Sequence, residues 1–319
     1  GCVADVRICA QIAEKNDLVD GSHDSYPKLK LKKQTLIIPS SKTFTLKKDQ
    51  SVILPFNLSM EGALLKYSTT QLLAKVEEKN AVHYFFFAPE GLRTEYSFDK
   101  STLSSGKEFY TPKPGLKSTF SITVKNGKTL KITTLTRQQA LNTTKVNNHI
   151  LITEATVLPE KEQCTLLSLG KTQISYALYT ANKGWKEETI EVQPVDVKAD
   201  WKKVGTRRMT VKIDQPDVPQ VNDYFLRVNY VADVAMAFIG GYLVLDHYYY
   251  GIPWTIGLRR FKNELKNEYL SFYFRPLRKD APFIGDLPVE AIPDFSQKDA
   301  DCLVRSVDVI PEYKAIVNI

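Results

Sequence analysis

Cysteine, histidine and methionine are scarce in this chain, with 4, 4 and 3 residues among 319. The cysteines, Cys2, Cys9, Cys164 and Cys302, are too few and too scattered to form a disulfide framework. No C-x-x-C spacing occurs and the histidines do not cluster with the cysteines, which argues against zinc. Cys164 and Cys302 read as buried free thiols, while Cys2 and Cys9 are near enough in sequence to pair. No run of 18 apolar residues is present, so no membrane-spanning helix is expected. A glycine-rich phosphate loop and a G-x-S-x-G elbow are both missing. Helical periodicity is almost absent, limited to two short stretches at 137–142 and 12–19.

What is present points to β structure. Sixteen Tyr and fifteen Phe accompany many Val, Ile and Thr, the residue types that fit a pleated, half-buried surface. The net charge of +7 comes from 43 basic against 36 acidic residues. Lysines 28, 30, 32, 33, 47 and 48 alternate with apolar positions, the pattern of a solvated strand face, so no nucleic-acid partner is expected.

Short strands are predicted at 28–32, 35–38, 51–58, 63–68, 71–76, 83–88, 94–98, 118–124, 129–134, 149–157, 164–169, 173–179 and 189–192. Pro55 marks an edge or bulge. Phe85, Phe86 and Phe87 in one strand require cover on both faces, hence a central position. Asn126-Gly127 and Gly240-Gly241 are hairpin turns. A composition break over 194–205 separates two strand-rich blocks. The expected architecture is all-β, with two β-sandwich or jelly-roll units. Residues 1–27 read as an irregular segment, 28–200 as a sandwich and 201–319 as a jelly roll.

The most telling stretch is 223–258, DYFLRVNYVADVAMAFIGGYLVLDHYYYGIPWTIGL. It resembles the jelly-roll module in the C-terminal part of glycoside hydrolase family 35, the β-galactosidases, where D-x-F-Y-N-G-x-P-W-x-I-G-L follows a hairpin. This chain departs from that pattern at Ala232-Asp233, where the family has Gly-Asp, and at Tyr250, where it has Asn. Upstream, VILPFNL at 52–58 and GALLKYSTTQ at 62–71 are similar to the family's V-L-P-F-N-L and G-A-x-L-x-Y-A-T-A-Q. YFFFAPEG at 84–91, followed by Glu95 and Phe98-Asp99, continues the likeness in order. The resemblance covers roughly residues 50–275 and implies a galactose-binding-like jelly roll.

The family's chemistry does not come with it. Retaining β-galactosidases use two glutamates about 5 Å apart on a (β/α)8 barrel of about 250 residues. This chain has neither the barrel's strand–helix alternation nor room for it. Asn267-Glu268-Tyr269 echoes the family's acid/base motif but lacks the preceding Val-Glu strand, so Glu268 reads as a surface residue and no catalytic residue is assigned.

Sugars stack their C–H faces on aromatic rings while charged and amide groups hold the hydroxyls. Asp246, Tyr248, Tyr250, Trp254 and Arg259 supply that mixture and form the candidate carbohydrate site. For Trp254 the competing role is a plug that seals the sandwich core. Asp294, Asp299 and Asp301 suggest a structural calcium, although their irregular spacing fits a solubilising loop better.

The resemblance therefore implies a non-catalytic β portion, or stand-alone relative, of a family 35 enzyme that supports or recognises carbohydrate. A free-standing carbohydrate-binding protein, or a partner subunit for a separate catalytic barrel, is the alternative. Galactosides or a plant or host polysaccharide are the expected ligands. Gly1-Cys2 has the form of a processed lipoprotein start, beside the plainer reading of Cys2 as an ordinary residue. A periplasmic, extracellular or lipid-anchored location is expected ahead of a cytoplasmic one.

Overall fold

The computed structural model describes residues 4–6, 8–13, 31–40, 44–46, 51–181 and 183–319. Cys2 and the side chain of Cys9 lie outside the described residues, as do lysines 28, 30, 47 and 48. The chain is all-β. Among the described residues one α-helix occurs, Arg137–Leu141. Its start is fixed by a capping box: the Thr136 hydroxyl accepts from the Gln139 N–H and the Gln139 side chain accepts from the Thr136 N–H.

Two compact units are present, and neither is a continuous block of sequence. One comprises Gly1–Thr153 with Tyr176–Glu187, the other Glu154–Ser175 with Glu188–Ile319.

In the first unit, Ala4–Val6 pairs with Phe44–Leu46 and Ile8–Ala13 with Leu31–Ile38. Residues 1–27, read from sequence as irregular, thus contain two strands. The helix expected over 12–19 meets a strand at Ile12 and Ala13 and otherwise lies outside the described residues. The unit's centre is a five-stranded sheet in the order Leu103–Ser105, Phe120–Val124, Thr129–Leu135, Ala81–Phe87, Gln71–Glu77. Ala81–Phe87 is an interior strand, as its three phenylalanines require, and it pairs in parallel with Thr129–Leu135. Successive side chains point to opposite faces of a strand. Phe86 therefore enters one core with Leu65, Tyr96 and Phe98, and Phe85 the other with Ile150, Ile152 and Tyr179. The strand expected over 51–58 begins only at Phe56. Pro55 has no N–H to give a ladder, and its carbonyl instead accepts from the Ser68 N–H at 3.1 Å.

The second unit is a sandwich of two five-stranded antiparallel sheets. One has the order Thr156–Pro159, Gln163–Leu169, Leu303–Asn318, Val221–Val231, Trp254–Gly257. The other has the order Ala199–Gly205, Arg208–Ile213, Leu270–Arg275, Val234–Ile239, Tyr242–Tyr248. Omitting the first strand of each sheet leaves eight strands. Numbered along the chain, they fall in the orders 1-8-3-6 and 2-7-4-5. Successive strand pairs nest inside one another and alternate between sheets, which is a jelly roll. Its first strand, Gln163–Leu169, comes from well before the boundary at 201 expected from sequence. The expected single strand over 149–157 is broken at Glu154 and Ala155, where the chain leaves one sheet for another. The core between the two sheets is built from inward positions such as Leu226, Val228, Ala235, Ala237, Phe272 and Phe274.

Candidate functional site

The register of the second sheet decides where each candidate side chain points. On the edge strand Tyr242–Tyr248, His247 lies opposite the fully buried Ala235 and so belongs to the core face. Asp246 and Tyr248 lie opposite Met236 and Val234 and share the outward face. The pairing continues across the sheet, with Tyr273 beside Met236, Arg208 beside Tyr273, and Arg275 beside Val234. One outward surface thus carries Tyr248 and Tyr273 together with Asp246, Arg208 and Arg275. Tyr248 is 70% exposed. Arg275 is held by Asp233 at 3.1 Å.

Tyr250 takes a different place. It sits in the turn that follows the edge strand, with its ring 5.3 Å from His247, and is half exposed. The turn is fixed by the Tyr249 hydroxyl donating to the Ala291 carbonyl at 2.8 Å and by Gly251 at φ +91°. Any Cβ at Gly251 would come within 2.5 Å of the Ala291 Cβ. His247 accepts or donates at Nδ1 to the Tyr230 hydroxyl at 2.7 Å. Burial holds its imidazole below the ordinary histidine range, against a smaller opposing pull from Asp246.

Two further members of the expected site do not join it. Trp254 is 6% exposed, stacked on His247 at 5.3 Å and set edge-on to Phe272 at 5.8 Å. Its faces are covered by the core, so it offers no sugar platform and seals the sandwich instead. Arg259 is carried to the other end of the roll. The strand Trp254–Gly257 runs antiparallel to Val221–Val231, with Trp254 at Val228 and Gly257 at Phe225. Arg259 then bonds at Asn222 and Asp223. From Tyr230, which holds His247, to Asn222 is eight residues of extended chain, on the order of 26 Å at about 3.3 Å each.

A scan against protein-family models matches none of them. A search of curated proteins gives no match either.

The other carboxylates considered from sequence have local duties. Glu268 is exposed, and its N–H closes a turn onto the Glu264 carbonyl at 3.0 Å. Asp294 caps the Ser296 N–H at 2.8 Å, Asp299 pairs with Lys279, and Asp301 pairs with Lys298 at 2.9 Å. Among the described residues no group of three or more His, Cys, Asp or Glu side chains is arranged to hold a metal ion. Cys164 is a buried free thiol and Cys302 a half-buried one, and burial raises both thiol pKa values.

Sequence reading also missed a polar cluster buried in the first unit. His83 Nδ1 meets the Tyr179 hydroxyl at 2.6 Å and Nε2 meets Thr133 Oγ1 at 2.7 Å. Tyr179 donates to Glu78, whose second oxygen holds Lys131 Nζ at 2.7 Å. Burial would raise the Glu78 pKa, but the bonds from Lys131 and Tyr179 outweigh it and keep the carboxyl below its usual range. His83 stacks on Phe85 at 4.3 Å and burial pushes its pKa down to about 4. The partners stand 96 and 101 residues apart, so no local motif announces them. Only its Lys131 end reaches the surface, and the cluster acts as a cross-brace.

Proposed function

We propose that this chain is a non-catalytic β relative, or portion, of a family 35 β-galactosidase-like glycoside hydrolase, and that it recognises carbohydrate without cleaving it. The observation behind this reading is the outward face of the jelly roll. Two tyrosine rings, Tyr248 and Tyr273, stand two strands apart with Val234 and Met236 between them, and a carboxylate and two guanidinium groups lie beside them. Aromatic faces receive the apolar side of a pyranose, while Asp246 accepts from hydroxyls and Arg208 donates to them. The eight-stranded order of the roll adds support, because it encloses the segment that carries the family-like motif.

Titration calorimetry with galactose, lactose and a galactan oligomer tests the reading. A shallow face that covers one or two rings gives weak, millimolar-range binding. Tyr248→Ala and Tyr273→Ala should each abolish the heat, and a chromogenic β-galactoside should remain uncleaved. Heat that survives both substitutions would move the site elsewhere, and turnover lost in Glu268→Gln would make the chain an enzyme.

A further inference from the structure

The end of the roll that receives Arg259 forms a second recess, independent of the tyrosine face. A cavity of about 190 Å³ lies between the loop leading into Val221–Val231 and the 3-10 turn Arg259–Phe261. It adjoins one of about 540 Å³, and Gln215 and Lys262 line both. The walls are held before any ligand arrives. The Tyr224 hydroxyl donates to the Pro216 carbonyl at 2.8 Å, and the Lys314 N–H donates to the Gln220 carbonyl at 2.8 Å. Asp223 Oδ1 accepts from the Tyr224 and Arg259 N–H groups, both at 2.7 Å. The Arg259 guanidinium is oriented by Asn222 Oδ1 at 2.6 Å.

The floor beside this pair is open only because residue 257 is glycine. A Cβ there would come within 3.0 Å of Asp223 Oδ2 and 3.4 Å of the Phe225 ring. Asp223, Gly257, Arg259 and Arg260 line this shallow extension. The lining is mixed in charge but cationic in sum. Lys198, Lys212, Lys262, Lys266, Lys314 and Arg259 face four aspartates in the two cavities. A polyphosphate gains from the cations alone and is repelled by the aspartates. A sugar chain that bears both hydroxyls and carboxylates uses both kinds of group: aspartates accept from hydroxyls, and Arg259 forks onto a carboxylate.

The geometry points to a binding site for an acidic, uronate-containing glycan at this end of the jelly roll, centred on Asp223 and Arg259. It stands apart from the tyrosine face and does not depend on it.

Calorimetry with an oligogalacturonate, a neutral galactan oligomer of equal length and a short DNA duplex tests the assignment on the whole chain. The oligogalacturonate should bind, and weaken as salt rises from roughly 50 to 300 mM because the contacts are partly exposed. Arg259→Gln should lower its affinity by about tenfold or more, the usual cost of losing a charge-assisted hydrogen bond. Lys266→Gln, an exposed change with little risk to folding, should weaken it measurably, and Tyr248→Ala should leave it unchanged. Melting curves of each variant separate lost binding from lost fold. Absence of heat with oligogalacturonate at millimolar concentration overturns the assignment. So does equal binding of the neutral oligomer, tighter binding of DNA, or full retention of affinity in a folded Arg259→Gln variant.

Discussion

His83 and Trp254 show how single side chains set the tolerance of each unit. His83 is 2% exposed and neutral in the folded chain, with its pKa pushed down to about 4 from the ordinary 6.5. The unfolded chain takes up a proton there as pH falls below 6.5, while the folded chain resists until about 4. The stabilisation from His83 is therefore complete above pH 6.5 and is lost as pH falls through about 4, on the order of 3 kcal/mol in all. Urea melts between pH 7 and pH 4 should show this loss, with a shallower pH dependence in His83→Gln. Trp254→Ala should cost about 3–5 kcal/mol, the usual range for emptying a buried Trp site. The exposed Tyr248→Ala should leave the melting temperature nearly unchanged. At this scale the sequence was half legible. Trp254 could be read from sequence as a sugar contact or, after its Gly-Ile-Pro turn, as a core plug, and its burial fits the plug. The brace of Glu78, His83 and Tyr179 could not be read, because Tyr179 belongs to a different sheet and reaches the other two only when the two sheets pack together.

Among the elements, turns were the most readable because their chemistry is local. Asn126-Gly127 and Gly240-Gly241 both make tight hairpins, with Gly240 and Gly241 at φ +55° and +85°. Gly251 differs from them in being crowded as well as left-handed. Gly251→Ala adds a clash with Ala291 to backbone strain and should cost at least about 1–2 kcal/mol. Gly240→Asn, with open space around it and a side chain that tolerates the left-handed region, should stay within roughly 0.5 kcal/mol of the parent. Thermal denaturation of the two variants side by side checks the contrast. Strand limits were harder to read. Residues 149–157 hold no Gly, Pro, Asn or Asp to signal a turn, so nothing in their pattern shows that they serve two sheets. The outward row of Arg208, Tyr273 and Met236 was hidden for a related reason. Alternation shows which residues share a face, but only register shows which strands lie side by side.

For the molecule as a whole, the all-β class followed from composition and turn spacing, while the interleaving of the two units did not. A contiguous cut at residue 201 looks natural in the sequence, yet it removes Gln163–Leu169 from the sheet that contains Leu303–Asn318. A fragment of residues 201–319 should therefore expose the backbone edge of that long strand and aggregate or fail to fold. A fragment beginning at residue 154 retains the missing strand and should be more soluble. Circular dichroism and gel filtration of the two fragments give the comparison, and a well-folded, monomeric 201–319 would contradict it.

The pairing of Gln163–Leu169 with Leu303–Asn318 also sets a schedule for synthesis. The ribosome makes the earlier strand first, and its partner emerges only after more than a hundred further residues. At about 5–20 residues per second the delay is on the order of ten seconds. Throughout that interval the Cys164 thiol, fully enclosed in the finished fold, stands on a strand that lacks one neighbour. The nascent chain thus holds that strand edge open, beside a cysteine that the finished fold encloses, until the partner strand has been made.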